Sequence, residues 1–135
     1  MKHYGDIIIR IGFGLLFIWG GLEKFFEGFL GGVGLEYMAD VLKKTGWHFL
    51  GDNGTLVLAI FLAATELVAG ILLIINKKIT VSYLYVSFLM LVALLTVHIP
   101  SGNWMNSMIH IALFTSLLGL GLNTFEKEKA LWQQK

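Results

Sequence analysis

The sequence predicts an all-α integral membrane protein, built as an antiparallel four-helix bundle with a short amphipathic interfacial helix between spans 1 and 2. Composition is the first observation behind this prediction. Of 135 residues, 56% are hydrophobic and 14% are charged, and the mean hydropathy is +0.75. A soluble domain carries about 25% charged residues, and a small one needs them to cover its large surface. The second observation is a succession of apolar stretches of about 20 residues, the length at which a helix crosses a bilayer.

Four spans are predicted, at residues 7–30, 56–75, 79–99 and 104–122. The last two contain no Asp, Glu, Lys or Arg, and the second contains only Glu66. The first includes Arg10 and Lys24 near its ends, where long basic side chains reach the interface. A cleaved signal peptide is the alternative for this segment, but Asp6 interrupts its basic start and no small-residue cleavage site follows. We therefore expect a single membrane domain over residues 1–135.

Residues 31–53 form the one long connection, and they predict a short helix lying on the membrane surface. Its apolar residues recur at helical spacing and its charged residues fall opposite them, with Leu35, Met38, Val41 and Leu42 on one side and Glu36, Asp40, Lys43 and Lys44 on the other. This pattern is typical of interfacial helices. Gly46 suits the helix end and Trp47 an interfacial anchor.

The distribution of basic residues predicts the orientation. With both termini in the cytoplasm, the inner side holds seven Lys and Arg residues and the outer side holds three, namely Lys24, Lys43 and Lys44. Cytoplasmic loops carry the excess of basic residues. We therefore expect a multi-pass protein with its N-terminus and C-terminus in the cytoplasm.

Charge, cysteine content and histidine placement exclude several classes of site. A net charge of +1 without a basic patch gives nucleic-acid binding no electrostatic basis, and the absence of Cys excludes thiolate metal sites. His98 and His110 could hold haem, but the helix rise puts His110 roughly 6–9 Å deeper than His98. Axial ligands of one iron need nearly matched depth, so neither haem nor another metal is expected.

Glu66 is the sharpest candidate for function because it lies in the middle of an apolar span, where a carboxyl group is costly and by default functional. The alternative is a neutral or paired Glu that holds helices together. Arg10 and Lys24 are the candidate partners, each about 10 Å along the helix from the level of Phe17 and Glu66, and the spacing does not choose between them. Glu23 is expected to be a solvated residue at the rim, as is Glu27.

Span 1 presents one helical face made of Arg10, Gly14, Phe17, Gly21 and Lys24. The glycines of this face, together with Gly70 of span 2, let helices approach closely. Close packing is the simpler interpretation of these glycines. The alternative is space for a flat ligand beside the acidic group of span 2.

The outer half of the predicted bundle is more polar than the inner half. Asn103, Asn106 and His110 share a face of span 4, and His98 ends span 3. If these groups face inward, they form a pocket that opens from the outer leaflet. The alternative is a set of separate hydrogen bonds between helices and at the interface.

The ordered set of these residues resembles the DoxX family over nearly the whole chain. The resemblance rests on Arg10, on FIWGGLEKFF with Lys24, on ATELVAGILLIIN with Glu66 and Gly70, on His98 and on GLGLNTF. It implies a small bacterial four-helix protein of the cytoplasmic (inner) membrane. Some relatives are subunits of thiosulfate:quinone oxidoreductase, and others are linked to membrane redox or oxidative-stress complexes. The sequence after the last span departs from the family pattern, since residues 123–125 read Asn-Thr-Phe and the next acid is Glu126.

These observations lead to one main functional hypothesis, a quinone-associated redox subunit or accessory of a membrane oxidoreductase. Its candidate proton or catalytic groups are Glu66 and Lys24, and its candidate ligand-binding residues are Arg10, Phe17, Gly21, Gly70, His98, Asn106 and His110. No covalently bound cofactor is expected; a quinone is the expected ligand, and electrons come from a partner subunit or soluble enzyme. The alternatives are a non-catalytic scaffold that docks a redox or stress-response partner and a small-solute carrier. The lipid bilayer is a partner under every hypothesis, and a second copy of the chain is a further candidate.

Overall fold

The computed structural model describes residues 4–133, and within that range it contains helices and turns but no strand. The helices are α1 (Tyr4–Phe25), α2 (Gly34–Lys44), α3 (Gly51–Ile74), α4 (Ile79–Ala93, continued by a π-helical turn Leu94–His98) and α5 (Trp104–Trp132). Short 3₁₀ turns lie at Phe29–Gly31 and Trp47–Leu50. Four helical segments in this range are long and apolar enough to cross a membrane. The predicted all-α membrane fold with a short helix after the first span is therefore confirmed.

The chain forms two compact units, one up to Ile75 and one from Asn76 onward. In the first unit, α1 and α3 pack antiparallel. In the middle of α1, Gly14 lies against Ile74 at the end of α3, whereas near the end of α1 Gly21 lies against Ala63 in the middle of α3. The buried residues of α1 are Gly14, Phe17, Gly20 and Gly21. Gly14, Phe17 and Gly21 of the predicted face are therefore buried, and its two glycines lie against α3.

The first span ends earlier than expected, because α1 stops at Phe25 rather than continuing to Leu30. Gly28 has φ +80°, a left-handed conformation that glycine adopts without strain, and this ends the helical path. The chain then folds back so that Gly32 contacts the carbonyl oxygens of Glu23 and Phe26, where a side chain would not fit. Lys24 therefore lies in the last turn of the helix.

α2 packs its apolar face on the first half of α3. Ala39 and Leu42 of α2 form a buried cluster with Ala59 of α3, and Trp47 packs against this cluster. The predicted amphipathic helix is thus present, and protein buries Ala39 and Leu42 of its apolar side. Trp47 contributes to this packing.

An exposed ion pair joins α2 to the start of α3. The Lys43 ammonium lies 2.9 Å from a carboxylate oxygen of Asp52 and 3.3 Å from one of Asp40. The hydrogen bond to Asp52 is the main reason that the pKa of Lys43 is raised above its usual 10.5. The contribution of Lys43 to stability is therefore lost as pH rises through its raised pKa, and the pair is also lost in acid, where Asp52 takes up a proton.

The second unit is an antiparallel helical hairpin. Leu84 of α4 lies against Gly121 of α5, and nearer the turn the Ser87 hydroxyl donates a hydrogen bond to the carbonyl oxygen of Phe114, at 3.2 Å. With 29 residues, α5 is longer than about 20 residues, the length that crosses the bilayer core. Its charged last turns therefore extend beyond the apolar span.

The last turn of α4 is wider than an α-helix. The amide of Ile99 donates to the carbonyl oxygen of Leu94, five residues back, at 3.0 Å. Pro100 supplies the physical reason, because its ring clashes with the carbonyl four residues earlier and it has no N–H to bond there. His98 is the last residue of this widened turn.

Candidate functional site

Glu66 forms an ion pair with Lys24 between α3 and α1. The Lys24 ammonium donates a hydrogen bond to Oε2 of Glu66 at 2.9 Å and another to the carbonyl oxygen of Gly20 at 2.7 Å. The two side chains are only 14% and 10% exposed. The choice left open by the sequence, Arg10 or Lys24 as the partner of Glu66, therefore falls on Lys24. Arg10 is 14 residues earlier in α1, about 21 Å along the helix axis.

The direction of the Lys24 side chain follows from helix geometry. Side chains on an α-helix tilt toward its N-terminus. Lys24 lies in the last turn of α1 and therefore leans back over the preceding turn, where its ammonium reaches the carbonyl oxygen of Gly20. An interfacial lysine that snorkels would extend away from the span. Lys24 extends into it.

The carboxyl group of Glu66 lies beside Gly20, about one helical turn nearer the end of α1 than expected. The sequence placed it level with Phe17, but a Cβ atom built on Gly20 would be 2.5 Å from Oε1 of Glu66. The missing side chain of Gly20 is therefore what makes space for the carboxyl group. Phe17 is buried, with 1% exposure.

Glu23 is a third member of this cluster, which the sequence did not predict. One of its carboxylate oxygens lies 3.6 Å from the Lys24 ammonium, and its side chain is 20% exposed. The expectation of a solvated rim residue agrees with the exposure of Glu27, whereas Glu23 is only partly exposed. Adjacent residues on a helix point about 100° apart, so spacing alone gave no reason to join Glu23 to Lys24. We call Glu23, Lys24 and Glu66 the charged triad.

The glycines around the triad bring the two helix backbones together. A Cβ atom on Gly21 would lie 2.9 Å from the carbonyl oxygen of Ala63, and one on Gly70 would lie 2.7 Å from the carbonyl oxygen of Gly14. Protein atoms thus occupy the space beside Gly21 and Gly70. Of the two interpretations of these glycines, the structure supports close packing.

His98 and His110 form a second polar cluster, in the second unit. Their ring centroids are 3.9 Å apart and the ring planes are inclined by 35°. The expected depth difference of roughly 6–9 Å did not allow for side-chain tilt. In the antiparallel hairpin, His98 tilts toward the start of α4 and His110 tilts toward the start of α5, so the two rings approach each other.

A backbone carbonyl fixes the tautomer of His110. Nδ1 of His110 lies 2.8 Å from the carbonyl oxygen of Asn106. Since a carbonyl oxygen only accepts, Nδ1 carries the hydrogen. Asn106 thus contributes its backbone carbonyl to this cluster. Its backbone N–H donates a hydrogen bond to Oδ1 of Asn103, the N-cap residue of α5, at 3.1 Å.

The histidine stack is not a haem site in this geometry, because axial ligation needs the two rings on opposite sides of the iron. Within residues 4–133, no group of three or more His, Asp or Glu side chains could hold a metal ion. The two clusters place hydrogen-bond donors and proton-accepting groups on membrane-length helices.

The triad lies on two membrane-length helices within the part of the chain that matches a known family. The DoxX family model matches residues 5–99. The chain belongs to the DoxX family. Neither a curated protein nor a solved structure matches it. The match of this DoxX protein covers the triad and His98, whereas His110 and the rest of α5 lie outside it.

Proposed function

We propose that this DoxX protein is a quinone-associated subunit or accessory of a membrane oxidoreductase. The observation that carries the proposal is the ion pair between Lys24 and Glu66, held 2.9 Å apart at low exposure between two apolar helices. Ionisable side chains in membrane helices are rare and mark ligand or proton pathways. A pair that is nine-tenths buried on its acidic side is not explained by interfacial anchoring.

Quinone chemistry suits these groups. A quinone that takes two electrons to become a quinol also takes two protons, so its site needs hydrogen-bond donors for the carbonyl oxygens and a group that passes protons. The Lys24 ammonium is such a donor, and Glu66 is such a group. The electrons come from a partner subunit or a soluble reduced enzyme.

The first prediction concerns binding of a quinone analogue to the purified protein in nanodiscs. We expect the wild type to bind, and Lys24→Met with Glu66→Met to weaken binding at least tenfold, which corresponds to about 1.4 kcal/mol. Replacing both partners removes the donor and the acid together, and the carboxylate that stays behind, Glu23, is the more exposed of the two acids. Titration calorimetry or analogue-dependent melting measures the change.

A matched control is available in the exposed ion pair of Lys43 and Asp52, which has the same 2.9 Å separation. The double variant Lys43→Met with Asp52→Leu should bind the analogue like the wild type. Absence of binding to the wild type, or equal binding by both double variants, would contradict the proposal.

A scaffold that docks a redox or stress-response partner is the second candidate. The backbone contacts at Gly21 and Gly70 favour it, because they make α1 and α3 a rigid pair. A partner captured equally by the wild type and by Lys24→Met with Glu66→Met, together with no analogue binding, would support this alternative.

The orientation is a second prediction, with both termini in the cytoplasm of a bacterial cell and α2 outside. The chain contains no Cys, so a single introduced cysteine can report its side of the membrane. We expect Asp40→Cys, on α2, to react with a membrane-impermeant maleimide in intact cells and Glu128→Cys to react only after lysis. The reverse pattern would contradict the orientation.

A further inference from the structure

We propose that Glu23, Lys24 and Glu66 form a proton-exchange site that holds one exchangeable proton. This deepens the proposed function, on which it rests for its biological role, but its test needs no quinone. The first step is a charge count. Two carboxylates around one ammonium give the fully ionised triad a charge of −1. A net charge among partly buried groups of membrane helices is costly, and one bound proton removes it.

Lys24 lies between the two acids and can bind either of them. Its nitrogen is 2.9 Å from Glu66 and 3.6 Å from Glu23. Two of its three N–H groups donate to Glu66 and to the carbonyl oxygen of Gly20. The remaining N–H is available to Glu23, so a small movement of the ammonium exchanges one carboxylate partner for the other.

Exposure falls from Glu23 to Glu66, and this gives the exchange a direction. The side chains are 20% and 10% exposed, respectively. Glu23 takes a proton from water. Lys24 passes one N–H proton to Glu66 and receives the proton of Glu23, so that one proton moves inward and every other group regains its charge. The protonated state is then a neutral Glu66 beside a Lys24–Glu23 ion pair.

The other charged groups of the first unit leave this count unchanged. Glu27 lies one turn beyond Glu23 but is exposed. On α2, which packs against α3, Lys43 is paired with Asp40 and Asp52, Glu36 and Lys44 are exposed, and no acid or base of α2 is buried. Arg10 lies at the opposite end of α1 from the triad.

Infrared spectroscopy tests the inference directly. In nanodiscs at pH values above about 6, where exposed glutamates with an ordinary pKa of about 4.3 are ionised, the C=O stretch of a protonated carboxyl group should grow as pH falls, and its shift on ¹³C labelling of Glu should assign it to glutamate. We expect Glu66→Gln to remove this band. We also expect Glu23→Gln to remove it, because the remaining Lys24–Glu66 pair is neutral without a proton.

Glu27→Gln is the matched control, since it removes an exposed acid one turn away, and it should keep the band. Circular dichroism confirms that each variant is helical. A wild type without a titrating glutamate band, or a band that persists in Glu23→Gln, would overturn the inference, and the wild-type measurement needs no variant to fold. Analogue binding without the band would overturn the proton site and leave the proposed function standing. The band without analogue binding would overturn the proposed function and leave the proton site standing.

Discussion

Lys24→Met is expected to destabilise the protein by about 3–5 kcal/mol, the cost of removing one partner of a buried ion pair. The carboxylate of Glu66 is only 10% exposed, so it would lose its ammonium donor where water does not replace it. Adding Glu66→Met should restore most of the lost stability, because two apolar side chains of similar volume fill the same space without a charge. The single variant should therefore be less stable than the double variant.

Unfolding in mixed micelles with increasing SDS measures these differences. The loss in Lys24→Met should be smaller at low pH, where a proton on Glu66 removes the unpaired charge. If Lys24→Met, Glu66→Met and the double variant were equally stable, the two side chains would not stabilise each other, contrary to the pair in the structure.

The sequence was sufficient to predict the membrane-length helices because hydropathy over about 20 residues depends on composition alone. It also predicted the packing face of α1, since Gly14, Phe17 and Gly21 repeat at helical spacing and are buried. The end of α1 at Phe25 was not predicted, because the left-handed conformation of Gly28 depends on the path of the following turn. A glycine permits such a conformation without requiring it.

The contacts between side chains were harder to predict than the helices. Helix rise locates Cα atoms, whereas Lys24 and His110 extend their functional atoms toward the helix N-terminus, where each meets the carbonyl oxygen four residues earlier. His98 also ends the π-helical turn before Pro100, which is wider than an α-helix. Allowing for the tilt of each side chain toward its helix N-terminus would have paired Lys24 with Glu66 and brought the histidines together.

Gly70→Ala is expected to cause the other large effect, a loss of at least about 1–3 kcal/mol, the usual cost of an extra methyl group in a packed interior. The new Cβ atom would lie 2.7 Å from the carbonyl oxygen of Gly14 and 2.7 Å from the amide nitrogen of Ile18. Both are backbone atoms and cannot rotate away, so the helices must separate.

Separation of α1 from α3 would also change the triad, because Lys24 and Glu66 are on different helices. Gly70→Ala should therefore lower both the stability and the proton band, although it lies one turn from Glu66 and removes no charge. Gly12→Ala is the matched control, since nothing lies within 4 Å of its Cβ position. That variant should be as stable as the wild type or gain about 0.5–1 kcal/mol from lower backbone entropy in the unfolded chain. Equal stability of the two alanine variants would mean that the backbones do not meet at Gly70, and the packing that holds Lys24 against Glu66 would need another explanation.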